Sequence, residues 1–222
     1  MKLYVIFSLI AASLLSTLVS IYLSKRESKQ YSLNVREKVL VYFLSLMFTS
    51  WVVVSRWETS NLYAVVLLTI CFSVLSVSFY IDVKLQELPD CVTAIVLLCV
   101  FALLAQPGII ALGWINFFYR VLFASVVTFI CFIFSVKTEN LGMGDVKLLF
   151  PMLLLIGIDT NVLTGGYKFI YYLYNVLTPA FIVSLIVLLV TKKKDKMIAF
   201  GPFMILGFVL TFSIFPISIF AL

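Results

Sequence analysis

The sequence contains no histidine, and only 12% of its 222 residues are charged. Without an imidazole base, the chain has neither the Ser-His or Cys-His pair of a hydrolase nor an HExxH zinc site. Its four cysteines form no CxxC pair, so we expect no metal site. The chain also lacks a GxxxxGK[ST] phosphate loop and a dinucleotide-binding GxGxxG fingerprint. These absences argue against histidine-dependent hydrolysis, zinc catalysis and the common nucleotide-binding motifs.

Hydrophobic residues make up 64% of the chain, and its mean hydropathy is +1.19. Such a composition excludes a water-soluble globule and predicts an all-α bundle within the lipid bilayer. A helix needs about 20 mostly apolar residues to cross the bilayer. Scanning for such runs predicts about eight transmembrane helices, near residues 3–23, 39–54, 62–81, 92–104, 114–136, 146–158, 170–190 and 198–221. The fourth and sixth runs are short for a span, so we expect protein or water to shelter their ends.

The distribution of basic residues predicts how the chain lies in the membrane. If the amino terminus is outside, most of the 16 Lys and Arg residues fall in cytoplasmic segments, as the positive-inside rule requires. These residues are Lys25, Arg26, Lys29, Arg36, Lys38, Lys84, Lys137, Lys147, Lys192, Lys193, Lys194 and Lys196. The net charge of +6 is therefore interpreted as an orientation signal, and no nucleic-acid partner is expected.

Two aspartates lie at the ends of apolar segments, on the predicted cytoplasmic side. Asp82 occurs in FYIDVKLQELPD (79–90) and Asp145 in LGMGDVKLL (141–149). A carboxylate in or near hydrocarbon is costly, so its presence beside a span indicates a functional site. Two aspartates brought close together share a proton, and one can then act as general base while the other acts as acid. Gly142 and Gly144 let the backbone bend and a substrate strand approach closely.

At these motifs the chain resembles the type IV prepilin peptidases, the leader peptidase family of GxGD membrane aspartic proteases. Asp82 precedes a short loop that ends in Leu-Pro-Asp, and GMGDVK (142–147) matches the family's GxGDxK. FGPF (200–203) resembles the segment that opens the family's last helix. The resemblance implies that Asp82 and Asp145 are catalytic in an aspartic endopeptidase. It also implies that the enzyme removes the basic leader of type IV prepilins or pseudopilins at the cytoplasmic face of a bacterial inner membrane.

The amino-terminal region departs from the fuller family pattern. Longer members carry a zinc-binding insert with two CxxC pairs and a Tyr-Pro-x-x-Glu stretch, whereas KRESKQYSLNVREK (25–38) has no cysteine. We predict one membrane domain over 1–222, with a first span and short loop over 1–38 and a peptidase core over 39–222. Proteolysis needs no cofactor. S-adenosylmethionine is expected only if the amino-terminal methylation associated with that region in the family is retained.

Several other residues are candidates for substrate binding, besides Gly142 and Gly144. Glu87 and Asp90 either attract a basic leader or are solvated loop charges. Lys147 either pairs with a carboxylate or anchors at the lipid headgroups. Glu37 is either a site residue or an interfacial charge. Four tyrosines near the seventh run suggest an interfacial aromatic belt: Tyr167, Tyr171, Tyr172 and Tyr174.

Two other functions would also use carboxylates in a helical bundle. An ion-coupled transporter or channel more often has them near the midplane and within repeats, whereas Asp82 and Asp145 lie at span ends and no internal repeat is visible. A presenilin-like protease pairs GxGD with Tyr-Asp and a later Pro-Ala-Leu. Here Ile81 separates Tyr80 from Asp82, and no Pro-Ala-Leu occurs. The motifs favour the prepilin peptidases.

Overall fold

The computed structural model describes residues 3–27, 32–55, 62–105, 114–138, 142–156, 162–191 and 199–214. Within these ranges the chain is all-helical, which confirms the predicted fold class. The eight helices of the described residues are α1 (Leu3–Glu27), α2 (Val35–Ser55), α3 (Leu62–Leu85), α4 (Asp90–Leu104), α5 (Trp114–Thr138), α6 (Met143–Ile156), α7 (Val162–Thr191) and α8 (Gly201–Ile214). Each helix overlaps one of the predicted apolar runs.

Among the described residues, four helices are long and apolar enough to cross a bilayer, so the chain is a membrane protein. The candidate spans are Leu9–Arg26, Tyr63–Leu85, Phe117–Lys137 and Tyr167–Ile186, in α1, α3, α5 and α7. α4 and α8 are shorter apolar helices. That all eight helices cross the membrane stays a prediction. α7 begins well before the predicted residue 170, because the predicted run was bounded by hydrophobicity and the preceding turns contain polar residues that a helix tolerates.

α3 lies at the centre of the bundle. It packs against α1, α2, α4 and α8, whereas α6 packs against α4, α5, α7 and α8. The two helices that carry Asp82 and Asp145 therefore share α4 and α8 as neighbours. This arrangement fixes the ends of α3 and α6 relative to each other.

Small hydroxyl side chains fill the contacts among α1, α2 and α3. Ser13 of α1 lies 3.0 Å from Ser45 of α2, oxygen to oxygen. The buried Ser20 and Ser73 donate to the backbone carbonyl four residues earlier, so each hydroxyl is satisfied within its own helix. Small residues let membrane helices approach closely, where van der Waals packing between them is strongest.

Aromatic packing joins α3 to α8. The rings of Phe72 and Phe208 stack with centroids 5.5 Å apart, and Phe212 meets Phe72 edge-on at the same distance. All three side chains are buried. In contrast, α5 and α7 expose apolar residues over most of their surfaces. Their outer faces suit contact with lipid.

A matched pair of substitutions tests the close packing around α3. Ser73 is buried and donates to the Thr69 carbonyl, whereas the exposed Ser184 of α7 makes the equivalent bond to Ala180. We expect Ser73→Leu to lower the free energy of unfolding by about 1–3 kcal/mol, because the core has no room for the larger side chain. Ser184→Leu should change it little. Thermal unfolding in detergent measures both, and equal effects would contradict the packing described here.

Candidate active site

Asp82 lies in the last turn of α3, where the helix ends in an unusual backbone conformation. The amide N–H of Gln86 donates to the carbonyl of Asp82 at 2.8 Å, and Gln86 itself has a φ of 57°. A non-glycine residue in this left-handed region reverses the chain direction at some cost in backbone energy. The Asp82 side chain is only 4% exposed, and its Oδ2 has no hydrogen-bond partner in the described part of the chain.

Asp145 lies in the first turn of α6 and is 7% exposed. Gly142 precedes the helix, and a Cβ built on it would lie 3.2 Å from Oδ2 of Asp145. The first glycine of the GxGD motif therefore leaves room for the Asp145 carboxyl group. Pro151 follows inside α6 and, because it has no N–H, leaves the carbonyl of Lys147 without its usual helical donor.

The two carboxyl groups converge at Gly201, the first residue of α8. A Cβ at this position would lie 2.5 Å from Oδ2 of Asp82 and 2.9 Å from Oδ1 of Asp145, so only glycine fits between them without displacing either. The Gly201 backbone therefore lies against both carboxyl groups. The two carboxylates also interact electrostatically. From the sequence, Gly201 and Pro202 of the FGPF segment either shape the cleft or only begin the last helix, near the level of the aspartates. The position of Gly201 between the two carboxyl groups supports the first interpretation.

Two contacts hold the loop after Asp82 against the segment that carries Asp145. A Cβ on Gly144 would lie 2.7 Å from the Cβ of Leu88, so the second glycine of GxGD gives Leu88 its space. Lys147 Nζ lies 2.6 Å from Oδ1 of Asp90, the first residue of α4. The Leu-Pro-Asp and GxGDxK segments are therefore packed against each other. The apolar contact is at Gly144, just before Asp145 in the chain, and the ion pair is at Lys147, just after it.

These residues line an open cleft of about 300 Å³. Its lining residues are Asp82, Gln86, Glu87, Leu88, Asp90, Gly142, Met143, Gly144, Asp145 and Lys147. Seven of the eight predicted site residues thus lie around one cleft. Of the two interpretations of Lys147, the structure supports pairing with a carboxylate. Among the described residues, no group of three or more His, Cys, Asp or Glu side chains is arranged to hold a metal ion.

Glu37 lies outside the residues that line the cleft. Its carboxylate accepts hydrogen bonds from Lys84 Nζ at 2.8 Å and from the backbone N–H of Asn34 at 2.7 Å. The bond from Lys84, followed by the bond from Asn34, lowers the pKa of Glu37 below its usual value. Glu37 thus makes one of the two hydrogen bonds of a capping box at the start of α2 and, through Lys84, ties that helix to the end of α3, two residues beyond Asp82.

The aromatic belt prediction was wrong for one of its four tyrosines. Tyr167 and Tyr174 are exposed, but Tyr172 is fully buried and donates to the sulfur of Met152 at 3.7 Å. Helical periodicity explains the difference, because residues 167 and 174 share one face of α7 whereas residue 172 lies on another.

Residues 66–173 match the model of the type IV leader peptidase family. This segment contains both Asp82 and Asp145, with the Leu-Pro-Asp and GxGDxK motifs, and it confirms the family resemblance drawn from them. It ends before the FGPF segment. Searches of curated proteins and of solved structures found no match.

The contact between Gly144 and Leu88 predicts a rescue experiment. Gly144→Ala should lower the thermal midpoint of unfolding, although alanine is favoured over glycine in a helix by about 1 kcal/mol. The clash is with the Leu88 Cβ, so Leu88→Gly should restore the midpoint in part and Leu88→Ala should not.

Gly142→Ala is the matched control for this experiment. Its added methyl would meet the end of the Asp145 side chain, and it should leave the midpoint nearly unchanged. Rescue by Leu88→Ala to the same extent as by Leu88→Gly would contradict the assigned contact.

Proposed function

We propose that this chain, which belongs to the type IV leader peptidase family and is therefore an aspartic peptidase, cleaves the leader from type IV prepilins or pseudopilins using Asp82 and Asp145. We further propose that it acts at the cytoplasmic face of a bacterial inner membrane. The observation that carries the proposal is the convergence of two buried carboxyl groups at Gly201, beside an open cleft.

The proposed chemistry follows from placing two carboxyl groups together in a poorly solvated site. Both groups cannot be ionised there without a large electrostatic cost, so the pair holds one proton. The ionised carboxylate takes a proton from water, and the protonated carboxyl donates its proton to the carbonyl of the scissile peptide. Water and the two side chains supply every atom that this hydrolysis needs, and no cofactor takes part.

The cleft has features that suit a basic leader followed by an apolar helix. Glu87 and Asp90 line its exposed side, and Asp90 already pairs with Lys147. Glu87 is exposed at the cleft, where it can contact a basic residue of the leader. Met143, which is 40% exposed, also lines the cleft and offers apolar surface near Asp145. The basic leader of the substrate would thus meet the acidic surface at Glu87, and its apolar helix would meet the apolar surface at Met143.

The catalytic assignment is tested by removing one carboxylate at a time. Asp82→Asn and Asp145→Asn should each abolish processing of a coexpressed prepilin, read as a mobility shift. The reason is that an asparagine side chain can neither take a proton from water nor donate an acidic proton to the scissile carbonyl. Both variants should reach normal abundance in the membrane, since the amide has the same shape as the carboxyl group.

Asp90→Asn is the matched control, an identical chemical change within the same cleft. It should reduce processing without abolishing it, because it weakens the ion pair with Lys147 and leaves both reacting carboxyl groups in place. Normal cleavage by either Asp82→Asn or Asp145→Asn would show that the assignment is wrong.

Recognition of the leader is tested by pairing changes in the enzyme and in the substrate. Glu87→Gln should raise the KM for a prepilin with lysine or arginine next to the cut, by roughly 1.4- to fivefold for an exposed pair worth about 0.2–1 kcal/mol. It should have no effect on a prepilin whose nearest basic residue is replaced by glutamine. An equal change in KM for both substrates would contradict a direct contact, and initial rates with purified enzyme measure it.

A further inference from the structure

We propose that Ser78 of α3 is a positioning residue for the catalytic pair: its hydroxyl group and Oδ2 of Asp82 hold one water molecule between them. This water orients the Asp82 carboxyl group from inside the bundle, one helical turn before Asp82 in α3. The inference rests on the proposed hydrolysis by Asp82 and Asp145. It adds to that hydrolysis a residue outside the Leu-Pro-Asp, GxGDxK and FGPF motifs.

Two side-chain oxygen atoms near the end of α3 are buried without a hydrogen-bond partner in the described part of the chain. They are Oγ of Ser78, whose side chain is 1% exposed, and Oδ2 of Asp82. The third such atom, Oγ1 of Thr128, lies on α5. An unpaired buried polar atom is costly, and water is the usual partner where protein atoms supply none. Two such atoms close together in one helix indicate a shared partner.

The helix sets the distance between these two oxygen atoms. Ser78 and Asp82 are four residues apart in α3, so their side chains lie on the same face with Cβ atoms about 5–6 Å apart. Helical side chains lean toward the amino terminus, which directs Asp82 over the turn that contains Ser78. A water that bonds to two oxygens at about 2.8 Å joins atoms about 4–5 Å apart. This spacing suits one bridging water.

Ser78 differs from the other buried hydroxyl residues of α3. Thr69 and Ser73 donate to the carbonyl four residues earlier, and Ser76 donates to the carbonyl of Ser73. Ser78 could make the same bond to Val74, but its hydroxyl has no partner among the described residues. A serine that serves only close helix packing can satisfy its hydroxyl within its own helix. The Ser78 hydroxyl is instead left for a partner outside it.

The neighbouring helix α8 supplies no side-chain partner for Ser78. Phe72 of α3 stacks on Phe208, and Asp82 meets Gly201, so the turn with Ser78 lies along the first turns of α8. These turns, GPFMIL (201–206), contain no hydroxyl, amide or charged side chain. Water is small enough to reach both buried oxygens, and it can accept from the Ser78 hydroxyl while donating to Asp82.

The bridging water restrains the orientation of the Asp82 carboxyl group, because rotation of that group would break its bond to the water. Ser78 is not among the residues that line the cleft, so this water is distinct from the one that attacks the scissile peptide. It is not consumed in the reaction. A carboxyl group that is poorly oriented transfers protons more slowly but leaves substrate binding intact. Loss of the water should therefore change kcat and leave KM unchanged.

A double-mutant cycle in thermal unfolding tests the link between Ser78 and Asp82 without using activity. Ser78→Ala should lower the midpoint more in the otherwise unchanged protein than in an Asp82→Leu background, by about 2–4 °C. Leucine has nearly the shape of aspartate but cannot bind the water. Equal shifts in both backgrounds would overturn the proposal.

Ser76→Ala is the matched control, the same change two residues earlier in α3. Its hydroxyl bonds to the Ser73 carbonyl, so its shift in midpoint should be the same with Asp82 and with Asp82→Leu. In initial-rate measurements, Ser78→Ala should lower kcat by about tenfold with no change in KM, whereas Ser76→Ala should change neither. Equal loss of kcat in the two variants would contradict the positioning role.

Two substitutions of similar shape test whether a water occupies the space. The amide of Ser78→Asn can take the place of the water and donate directly to Asp82, so this variant should keep more of the kcat than Ser78→Ala. Ser78→Leu fills the same space without a donor and should lose kcat at least as much as Ser78→Ala. Equal kcat in Ser78→Asn and Ser78→Leu would show that no water bridges the two residues.

These experiments separate the two proposals. If the unfolding cycle shows the coupling while the protein cleaves no prepilin, the substrate is wrong and the link between Ser78 and Asp82 stands. If prepilins are cleaved and the cycle shows no coupling, the peptidase function stands and the role of Ser78 is wrong.

Discussion

The structure depends on one constraint, which is that two buried carboxyl groups meet at the first residue of α8. Each carboxyl group comes from a different helix, and α4 and α8 pack against both of those helices. The two carboxyl groups lie so close to Gly201 that residue 201 has no space for a side chain, because a Cβ there would touch both aspartates. Polar groups at the depth of a membrane bundle are tolerated where protein surrounds them. Here the ends of two helices bring the carboxyl groups together, and the missing side chain of Gly201 leaves them the space.

The loop between α3 and α4 connects the two halves of this site. Exposed ion pairs contribute at most about 1 kcal/mol, so the pair between Asp90 and Lys147 is better explained by geometry than by stability. Together with the contact between Leu88 and Gly144, it holds the start of α6 in a fixed position relative to the end of α3. The residues of both motifs that touch neither carboxyl group thus have a physical explanation, which is the register between the two segments.

Much of this arrangement could be predicted from the sequence, because local patterns specify it. Runs of apolar residues located the helices, and the isolated carboxylates at the ends of such runs identified Asp82 and Asp145 as a pair. The predictions were incomplete where the outcome depends on contacts between distant segments. Nothing near Gly201 in the sequence shows that both aspartates reach it, and nothing near Lys147 selects Asp90 over the headgroups. Tyr172 was interpreted from its neighbours in the chain, whereas its burial depends on how α7 packs.

The most direct measurement of the central claim is the proximity of residues 82 and 145 in the membrane. Asp82→Cys and Asp145→Cys would be combined in a chain whose four cysteines are replaced by alanine, and treated with a short bifunctional thiol reagent. The account predicts an intramolecular cross-link, seen as a mass increase of one reagent with no free thiol. The control combines Asp82→Cys with Tyr63→Cys, about 28 Å away along α3 by the helical rise, and should not cross-link. Two separately modified thiols at 82 and 145 would contradict the account.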